Sequence, residues 1–562
     1  MEIFFPHENI RESQSDLIEK IKETIEKKTN LIAHAPTGLG KTAASISVAL
    51  SYAIDKKLTV FFLTPIHTQH TIAIETFRLI KQKYNLEFSV VDLIGKKWMC
   101  AQEGAAELSS GEFYDYCKEM ITKKQCVYYE NIKNKEKLSV QTEVTLSNLS
   151  KKILHVEDFR AEAKSNKLCP FEIACLVAKK ASIIIADYHH LLNPSIREIL
   201  LGKIDKDLSE CIIIIDEAHN LPDRCRELLS TQLSTIAVDI AIKEAESIGF
   251  KDLVEPIKLI DNTLEKLAKL KINRDVKEAT VVKSDLISDI EKEMDISQLV
   301  NDLFFIGDKI KEMEENKKKR SACSHIASFL LSWQGQDQSF TRIIKRERTL
   351  KGKDFISLGY NCLDPALITR PLAEMSYSTI CMSGTLTPVD MYKDLFGFSS
   401  LTAEFTNPFP KHNKLSIIIP DTTTKFTARS QDMYKHIANY CCSVVNDIPG
   451  NSIIFFPSYD LRDKVNFYIQ NQCIKTTFSE TPNMSKNDKM ELIDKFKSYK
   501  TNGAVLLAAS GGNFGEGIDI EDNILKCVIV VGIPLDRPDL QTQELIKYYD
   551  GKFGKGWDYV YI

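Results

Sequence analysis

Short runs of Ile, Val, Phe and Leu recur along the chain, and each is followed by turn residues or by a helix with one apolar face. Such runs are typical of strands that are buried on both faces of a parallel sheet. Four runs predict a first sheet, and three predict a second. The first four are Leu31–His34, Thr59–Leu63, Ser182–Ala186 and Cys211–Ile215, and the last three are Ser452–Phe456, Val505–Ala508 and Cys527–Val531.

Two long stretches interrupt the strands of the first sheet. Between Ile94 and about Leu176, cysteines, lysines and tyrosines replace the strand pattern. Between about Leu233 and Glu347 the sequence is charged and helical, for example over Val254–Ile272 and Ile290–Asn316. We predict that both stretches are insertions into the first sheet domain.

Length and composition narrow the class of protein. A chain of 562 residues with 43% hydrophobic content is too long for one core and predicts three or four domains. Without a signal-peptide pattern or an apolar run of roughly 20 residues, we expect a soluble intracellular protein. Its fourteen cysteines are then thiols or metal ligands rather than disulfides. A net charge of −4 gives no support for nucleic-acid binding, since a dedicated DNA-binding domain is often strongly basic, so any nucleic acid would bind in a local groove.

A strand, a glycine-containing loop and a helix follow one another near the N-terminus. The loop Ala35–Thr42 (APTGLGKT) lies between Leu31–His34 and the helical stretch Ala43–Ala53. In a phosphate-binding loop, glycines let backbone N–H groups close on phosphate oxygens, and the helix N-terminus adds positive charge. Lys41 would reach the β- and γ-phosphates, and the Thr42 hydroxyl would bind Mg²⁺. The alternative is an ordinary strand–turn–helix with a surface lysine.

Two adjacent carboxylates follow the strand Cys211–Ile215. Asp216-Glu217-Ala218-His219 lies at the carboxyl end of that strand, where parallel sheets bind ligands. Asp216 would hold Mg²⁺, Glu217 would orient or deprotonate the attacking water, and His219 would couple the site to the next domain. The four residues alone also fit a helix cap. Together with the phosphate loop they predict a nucleoside triphosphatase.

Further motifs follow in order along the chain. They are IRESQ with Arg11 and Gln14, Ala186–Leu191 (ADYHHL), Met382–Pro388 (MSGTLTP), Ile454–Tyr459 (IFFPSY), Gly512–Asp519 (GNFGEGID) and Gly532–Pro534 (GIP). With the two motifs above, they resemble the XPD-like, iron–sulfur-containing branch of the superfamily 2 helicases over nearly the whole chain.

The resemblance implies an α/β fold of two RecA-like motor domains, with an iron–sulfur domain and a helical arch domain inserted in the first. The implied bounds are 1–94, 177–232 and 348–390 for motor domain 1, 95–176 for the iron–sulfur domain, 233–347 for the arch and 391–562 for motor domain 2. ATP would bind between the motor domains, so that binding closes them and hydrolysis reopens them.

The predicted site residues follow from these motifs. The catalytic residues are Lys41, Asp216, Glu217 and His219. The residues that would bind ATP and Mg²⁺ are Arg11, Gln14, Thr37, Gly38, Gly40, Lys41, Thr42, Gly384, Glu516, Gly517 and Asp519, with Arg11 and Gln14 at the adenine.

Four cysteines in the first insertion are candidate metal ligands. Cys100, Cys117, Cys126 and Cys169 are separated by sixteen, eight and forty-two residues, which matches neither a ferredoxin run nor a paired zinc motif. Spacing alone leaves buried thiols, zinc and an iron–sulfur cluster open. The resemblance of the segments around Cys100 and Cys169 to the family's first and last ligands implies a 4Fe–4S cluster, with Cys175 as a spare. Its implied role is structural.

Lysines and aromatic residues alternate in the same insertion. Lys96, Lys97, Lys123, Lys124, Lys133, Lys135 and Lys137 lie near Trp98, Tyr128 and Tyr129. Cations that meet phosphates and rings that stack on bases suit a single strand, although a solvated lysine-rich face fits equally. The DNA-contacting candidates are Lys96, Lys123, Lys124, Tyr188 and Tyr459, and the runs Lys317–Arg320 and Lys345–Lys353 are candidates at the arch.

One family motif has no counterpart. The family carries Q-x-x-G-R-x-x-R, whose arginine reaches the γ-phosphate, whereas this sequence ends at Trp557–Ile562 and holds no Gly-Arg dipeptide. An arginine finger contributes a factor of about 10³–10⁵ in rate. We therefore expect either weak turnover by this chain or a longer natural chain.

We hypothesise an ATP-dependent DNA helicase that moves 5′→3′ on single-stranded DNA and opens forked duplexes in DNA repair. ATP would be its substrate, and Mg²⁺ and a 4Fe–4S cluster its cofactors. We expect a monomer without a membrane partner, in the cytoplasm of an archaeal cell or in the nucleus of a eukaryotic one. Two alternatives stay open, namely a nuclease relative, for which no separate carboxylate cluster is found, and a non-catalytic scaffold that binds ATP.

Overall fold

The computed structural model describes residues 2–65, 67–273, 276–312, 321–349, 351–515, 520, 523–533 and 538–561. The chain forms two compact units. The first comprises Met1–Pro410 and Asp539–Val560, and the second comprises Lys411–Pro538.

Strands are numbered in chain order over the described residues. They are β1 (Leu31–His34), β2 (Thr59–Thr64), β3 (Val90–Leu93), β4 (Lys133–Asn134), β5 (Lys137–Leu138), β6 (Ile183–Asp187), β7 (Cys211–Asp216), β8 (Thr231–Ser234), β9 (Glu278–Thr280), β10 (Phe340–Arg348), β11 (Asp354–Cys362), β12 (Ser378–Ser383), β13 (Leu401–Glu404), β14 (Asn451–Phe456), β15 (Thr476–Ser479), β16 (Ala504–Ala509) and β17 (Leu525–Val530).

The α-helices are numbered in the same way. They are α1 (Glu12–Glu26), α2 (Lys41–Lys56), α3 (His70–Tyr84), α4 (Lys96–Met99), α5 (Ser110–Thr122), α6 (Val127–Glu130), α7 (Val140–Lys151), α8 (Val156–Ser165), α9 (Pro170–Lys180), α10 (His189–Leu192), α11 (Pro194–Ile204), α12 (Leu221–Leu229), α13 (Thr235–Ser247), α14 (Val254–Lys271), α15 (Lys283–Ile290), α16 (Ile296–Glu312), α17 (Ala322–Trp333), α18 (Ala366–Met375), α19 (Val389–Phe396), α20 (Gln431–Asp447), α21 (Tyr459–Ile469), α22 (Lys486–Ser498), α23 (Leu540–Phe553) and α24 (Gly556–Tyr561).

A seven-stranded parallel sheet forms the centre of the first unit. Its order is β13-β1-β12-β7-β2-β6-β3, which confirms that the four predicted runs share a sheet. Successive side chains point to opposite faces of a strand. Accordingly, Ile212 and Ile214 of β7 belong to one hydrophobic core, and Ile213 and Ile215 belong to the other. Burial on both faces explains why the four predicted strands are continuous apolar runs.

The first insertion runs between β3 and β6. It holds helices α4 to α9 and the small antiparallel hairpin of β4 and β5. Its apolar residues, among them Val156, Phe159 and Leu168, belong to the same core cluster as one face of the seven-stranded sheet. The insertion therefore packs through a continuous core on the seven-stranded sheet, which is called the motor sheet below.

The second insertion has its own core around the buried Trp333, formed by helices α13 to α17 and a four-stranded antiparallel sheet of order β8-β11-β10-β9. The prediction that this stretch lacks strands was wrong at β9 and at β10, which begin within the stretch predicted to be helical. Strand β10 is exposed toward its end at Arg346–Arg348. Its charged residues there interrupt the apolar run from which the other strands were predicted.

The second unit contains a parallel sheet of order β15-β16-β14-β17. The three predicted runs correspond to β14, β16 and β17, so the second predicted sheet is confirmed, and β15 is an addition to it. Helices α20, α21 and α22 pack on the sheet through two small cores.

The bounds of the named domains stay a prediction, although one junction differs from the observed sheet. Strand β13 pairs with β1, with Leu31 opposite Leu401, so the first sheet extends past the predicted junction at 390/391. Helix α23 also belongs to the first unit. Among the described helices, none combines the length and apolarity needed to cross a bilayer.

Candidate active site and cysteine cavity

Three strand ends bring the predicted motifs together. Strands β1, β12 and β7 are adjacent in the sheet, with His34 opposite Ser383 and Met382 opposite Asp216. Because the strands are parallel, the loops that follow them emerge at the same edge. The phosphate loop, Asp216 and the motif of Ser383 therefore share that edge.

The phosphate loop has the backbone conformation that its glycines permit. Gly38 and Gly40 have φ angles of +86° and +87°, a left-handed region that other residues adopt only with strain. Helix α2 begins directly afterwards at Lys41, so its N-terminus faces the loop. This is the arrangement that binds a phosphate.

Two side chains at the start of α1 bind the loop from outside. Arg11 donates from Nη1 to the Gly38 carbonyl at 2.7 Å, and Gln14 donates from Nε2 to the Gly40 carbonyl at 3.2 Å. Both residues thus lie beside the phosphate loop, as expected for residues of the nucleotide site. Contact with adenine stays a prediction.

The other side of the loop is close to Gly384. A Cβ atom at Gly384 would lie 3.1 Å from Thr37 Oγ1 and 3.7 Å from Lys41 Nζ. The motif after β12 therefore approaches the loop so closely that a side chain at position 384 would require Thr37 to shift by a few tenths of an ångström. Phe409, which sequence reasoning missed, places its ring over Gly38, where a Cβ would come within 2.5 Å of it.

Asp216 ends strand β7 and is only 8% exposed. Its Oδ1 accepts a hydrogen bond from the Glu217 amide at 3.1 Å. Burial and the neighbouring charge of Glu217 raise the pKa of Asp216 to about 6, and the charge of Lys41 opposes this shift. A buried carboxylate near an ammonium group is a suitable ligand for a divalent cation.

Glu217 belongs to a hydrogen-bonded triad with His219 and Ser383. Ser383 donates from Oγ to Glu217 Oε2 at 2.9 Å, and His219 Nδ1 lies 2.8 Å from Ser383 Oγ and 3.4 Å from Glu217 Oε2. Burial alone would raise the pKa of Glu217. The hydrogen bonds from His219 and Ser383 and the charge of Lys41 outweigh it and hold that pKa below its usual range.

Tyr188 contacts the backbone of the same site, and the prediction that it contacts DNA was wrong. Its side chain is 3% exposed and its hydroxyl donates to the Asp216 carbonyl. A ring buried in the sheet core cannot stack on a base.

The four predicted cysteine ligands line one cavity in the first insertion. Cys100, Cys117, Cys126 and Cys169 surround it, together with Lys96 and aromatic residues that include Phe113 and Phe171. Burial and the nearby Cys117 and Cys126 raise the pKa of Cys100, and burial raises the pKa of Cys169 to about 12. Over the residues that the structure describes, no group of three or more His, Cys, Asp or Glu is close enough to hold a metal ion.

Lys96 faces this cavity. Burial opposes the charge of Lys96, but the sulfur of Cys117 and the carboxylate of Glu172 raise its pKa above the usual range. Its Nζ lies 5.5 Å from the centre of the Phe171 ring. The structure therefore places Lys96 against thiol groups, and a cation there compensates negative charge on sulfur. A role in DNA contact stays a prediction for the exposed Lys123, which pairs with Glu119 at 2.7 Å, and for the exposed Lys124.

In the second unit, Tyr459 lies at the start of α21 and its hydroxyl donates to Glu480 Oε1 at 2.8 Å. The fully buried Glu480, which sequence reasoning missed, also accepts a bond from Asn513 Nδ2 at 2.9 Å and from the Ala509 amide at 2.9 Å. Glu480 therefore joins two sequence motifs that belong to separate elements. Contact of Tyr459 with DNA stays a prediction.

Several predicted residues lie outside the described part of the chain. They are Glu516, Gly517 and Asp519, together with Pro534 and the run Lys317–Arg320.

A buried His–Asp network links the first insertion to the sheet, and sequence reasoning missed it. His70 Nδ1 lies 2.6 Å from Asp92 Oδ1, and both side chains are fully buried. Asp92 Oδ2 accepts a bond from the Val156 amide at 2.9 Å, at the start of α8. On the other side of the imidazole ring, His70 Nε2 lies 3.7 Å from Oδ1 of Asp187, the last residue of β6.

Comparisons with known proteins match two separate segments of the chain to helicase families. The family models described as DEAD_2 and as Helicase C-terminal domain match residues 62–238 and 441–562. The ATP-dependent DNA helicase XPD of Sulfolobus acidocaldarius is 26% identical over 94% of this chain and 86% of its own length.

This chain is an XPD-like superfamily 2 helicase. The general transcription and DNA repair factor IIH helicase subunit XPD/RAD3 of Saccharomyces cerevisiae is also similar, at 22% identity over 95% of this chain and 79% of that protein. A solved structure of an XPD helicase matches with a TM-score of 0.64 at 22% identity and covers 99% of this chain and 91% of that one. The predicted fold class, two RecA-like domains within an α/β architecture, is thereby confirmed.

Proposed function

We propose that this chain is an ATP-dependent DNA helicase that translocates 5′→3′ on single-stranded DNA and opens forked duplexes in DNA repair. The observation that carries the proposal is the convergence of Lys41, Thr37, Asp216, Glu217 and Ser383 at one edge of the motor sheet. The names of the similar proteins support DNA as the substrate. Polarity and the setting in repair depend on the family resemblance alone.

Lys41 and the loop amides would bind the phosphates of ATP, because the loop offers backbone N–H groups beside an ammonium group. Thr42 and Asp216 would hold Mg²⁺, which neutralises charge on the phosphates when bound. Glu217 would receive the proton of the attacking water or orient that water. Ser383 and His219 fix the direction of its carboxylate, which a general base requires.

The cysteine cavity fits a 4Fe–4S cluster held by Cys100, Cys117, Cys126 and Cys169. Its donors are four sulfurs around a single cavity, and thiolates are the ligands that such clusters use. A cluster would cross-link the segments of the insertion. Lys96 would compensate the negative charge of the thiolates.

We expect Cys126→Ser to abolish the visible absorbance of the purified protein and to lower its iron content, because one of four thiolates is lost. Cys175→Ser is the matched control, since Cys175 is buried nearby but does not line the cavity. A colourless wild type purified without oxygen, or a Cys126→Ser variant that keeps full absorbance and iron, would exclude the cluster.

Unwinding assays test the proposed function. Wild type should displace a strand from a forked duplex with a 5′ tail in the presence of ATP and Mg²⁺, and should fail on a duplex with only a 3′ tail. Glu217→Gln should bind ATP and lose strand displacement by a factor of about 10² or more, because it lacks the base. The exposed Glu210, at the opposite end of strand β7, provides the control Glu210→Gln, which should unwind normally. Equal activity of Glu217→Gln and wild type would refute the assignment, and a preference for 3′ tails would refute the polarity.

A further inference from the structure

Two cysteines outside the predicted cluster form a contact in the second unit. Cys442 lies on helix α20, and Cys473 lies in the turn between α21 and β15. The Cys442 thiol donates to the Ile469 carbonyl at 3.9 Å, and the Cys473 amide donates to the same carbonyl at 2.8 Å, so the two cysteines are neighbours. Both are free thiols in the structure.

Asn446 holds the two segments at this position. It lies one helical turn after Cys442, donates from Nδ2 to the Gln472 carbonyl at 3.1 Å and accepts from the Ile474 amide at 3.1 Å. The two residues that flank Cys473 are thus fixed to helix α20 by one side chain. The proximity of Cys473 to helix α20 is therefore built into the backbone arrangement.

The two thiols differ in exposure and in acidity. Cys442 is 3% exposed, whereas Cys473 is half-buried and reaches the surface. The neighbouring Cys442 thiol lowers the pKa of Cys473, and the backbone and charge of Lys475 add to this effect, whereas burial opposes it. The same pairing raises the pKa of Cys442. A surface thiolate next to a buried thiol is the arrangement of a reactive cysteine with a resolving partner.

We propose that Cys473 and Cys442 are a peroxide-sensitive pair that forms an internal disulfide. The Cys473 thiolate attacks hydrogen peroxide, so that an S–O bond forms while the O–O bond breaks and hydroxide leaves. The Cys442 thiol then attacks the sulfenic sulfur, the S–S bond forms while the S–O bond breaks, and the sulfenic hydroxyl and the thiol proton leave as water. Two thiols are oxidised and one peroxide is reduced to two waters.

The disulfide would tie helix α20 to the turn before β15. It would close a loop that includes strand β14 and helix α21, and a cross-link of this length restricts the unfolded chain. The proposal does not depend on the helicase activity, since neither cysteine is among the residues assigned to nucleotide binding.

Peroxide treatment of the full-length protein tests the pair. After brief exposure, remaining thiols are alkylated in denaturant and the digest is analysed by mass spectrometry. Wild type should yield a cross-linked peptide pair that contains residues 442 and 473 and is two hydrogens lighter than its reduced parts, and a dithiol reductant should reverse it. Cys473→Ser should abolish this species. Cys441→Ser, a neighbour in the same helix, should retain it.

The pH dependence of alkylation gives a second measurement on the untreated protein. At neutral pH, Cys473 should react with iodoacetamide at least about tenfold faster than the half-buried Cys527, whose pKa is raised by burial. In Cys442→Ala the rate at Cys473 should fall about tenfold, because the neighbouring thiol that lowers the pKa of Cys473 is lost. A wild type without the 442–473 cross-link, or with Cys473 no faster than Cys527, would overturn the proposal. Both decisive results come from wild type and do not require a variant to fold.

Discussion

Ser383 connects the carboxylate of Glu217 to the phosphate loop at the edge of the motor sheet. Its hydroxyl bonds Glu217 and lies within hydrogen-bonding distance of His219, and its carbonyl accepts a bond from the Ala35 amide at 2.9 Å. One residue therefore contacts both the phosphate loop and the second motif. We infer that it positions Glu217.

Ser383→Ala should lower kcat for ATP hydrolysis about ten- to hundredfold and leave KM nearly unchanged. A hydrogen bond to a charged group contributes about 1.5–3 kcal/mol, and each 1.4 kcal/mol is about tenfold in rate. Steady-state kinetics of ATP hydrolysis provide the measurement. Ser376→Ala, before the other end of the same strand, should behave as wild type. A change in KM alone would assign Ser383 to binding instead of positioning.

For single residues, the sequence identified the members of the nucleotide site better than it predicted the environment of each side chain. The motif spacing identified Lys41 and Asp216, and the sheet brings their loops to one edge because β1 and β7 flank β12. Tyr188 and Lys96 were assigned to DNA on their chemistry, but one is buried under Asp216 and the other faces the cysteine cavity. Which side of an element a residue occupies depends on packing from distant segments, and no local pattern contains that information.

A buried hydrogen-bond network connects secondary-structure elements of the first insertion to the motor sheet. Asp92 at β3 binds both His70 of α3 and the first amide of α8. Because Asp92 and His70 are fully buried, no water replaces a missing partner. The network therefore fixes α8 against the edge of the sheet.

Asp92→Ala should destabilise this junction by about 1–3 kcal/mol, since removal of the carboxylate leaves buried hydrogen-bonding groups of His70 and of the Val156 backbone without their partner. Hydrogen exchange followed by mass spectrometry should show loss of protection over residues 155–165, together with a lower thermal midpoint. Asp158→Asn, an exposed acid on the same helix, is the control and should leave exchange unchanged. Unchanged protection in Asp92→Ala would show that apolar packing alone holds α8.

Most elements buried on both faces were predictable, and most elements with one solvent-exposed face were not. The predicted parallel strands are continuous apolar runs because both of their faces are covered, except in β17, which leaves Val528 and Val530 exposed. Strand β10 mixes Arg and Lys with Ile, and β9 has only three residues, so the antiparallel sheet of the second insertion left no clear pattern.

The whole molecule combines motifs in the family's order, apart from the arginine motif that has no counterpart, with two sheets of the predicted type. The positions of the insertions were visible from interrupted strand patterns, whereas the identity of the cysteine ligands required the family resemblance. The structure adds that the four cysteines line one cavity, which spacing alone did not indicate.

Hydrolysis of ATP with and without single-stranded DNA tests the central claim, that the edge with Lys41 and Asp216 drives motion on a strand. Wild type should hydrolyse ATP, and single-stranded DNA should stimulate the rate several-fold. Lys41→Ala should abolish the stimulated activity, while Lys56→Ala, at the far exposed end of the same helix, should retain it. Wild-type hydrolysis that DNA does not change, or equal stimulated rates in Lys41→Ala and Lys56→Ala, would contradict the account.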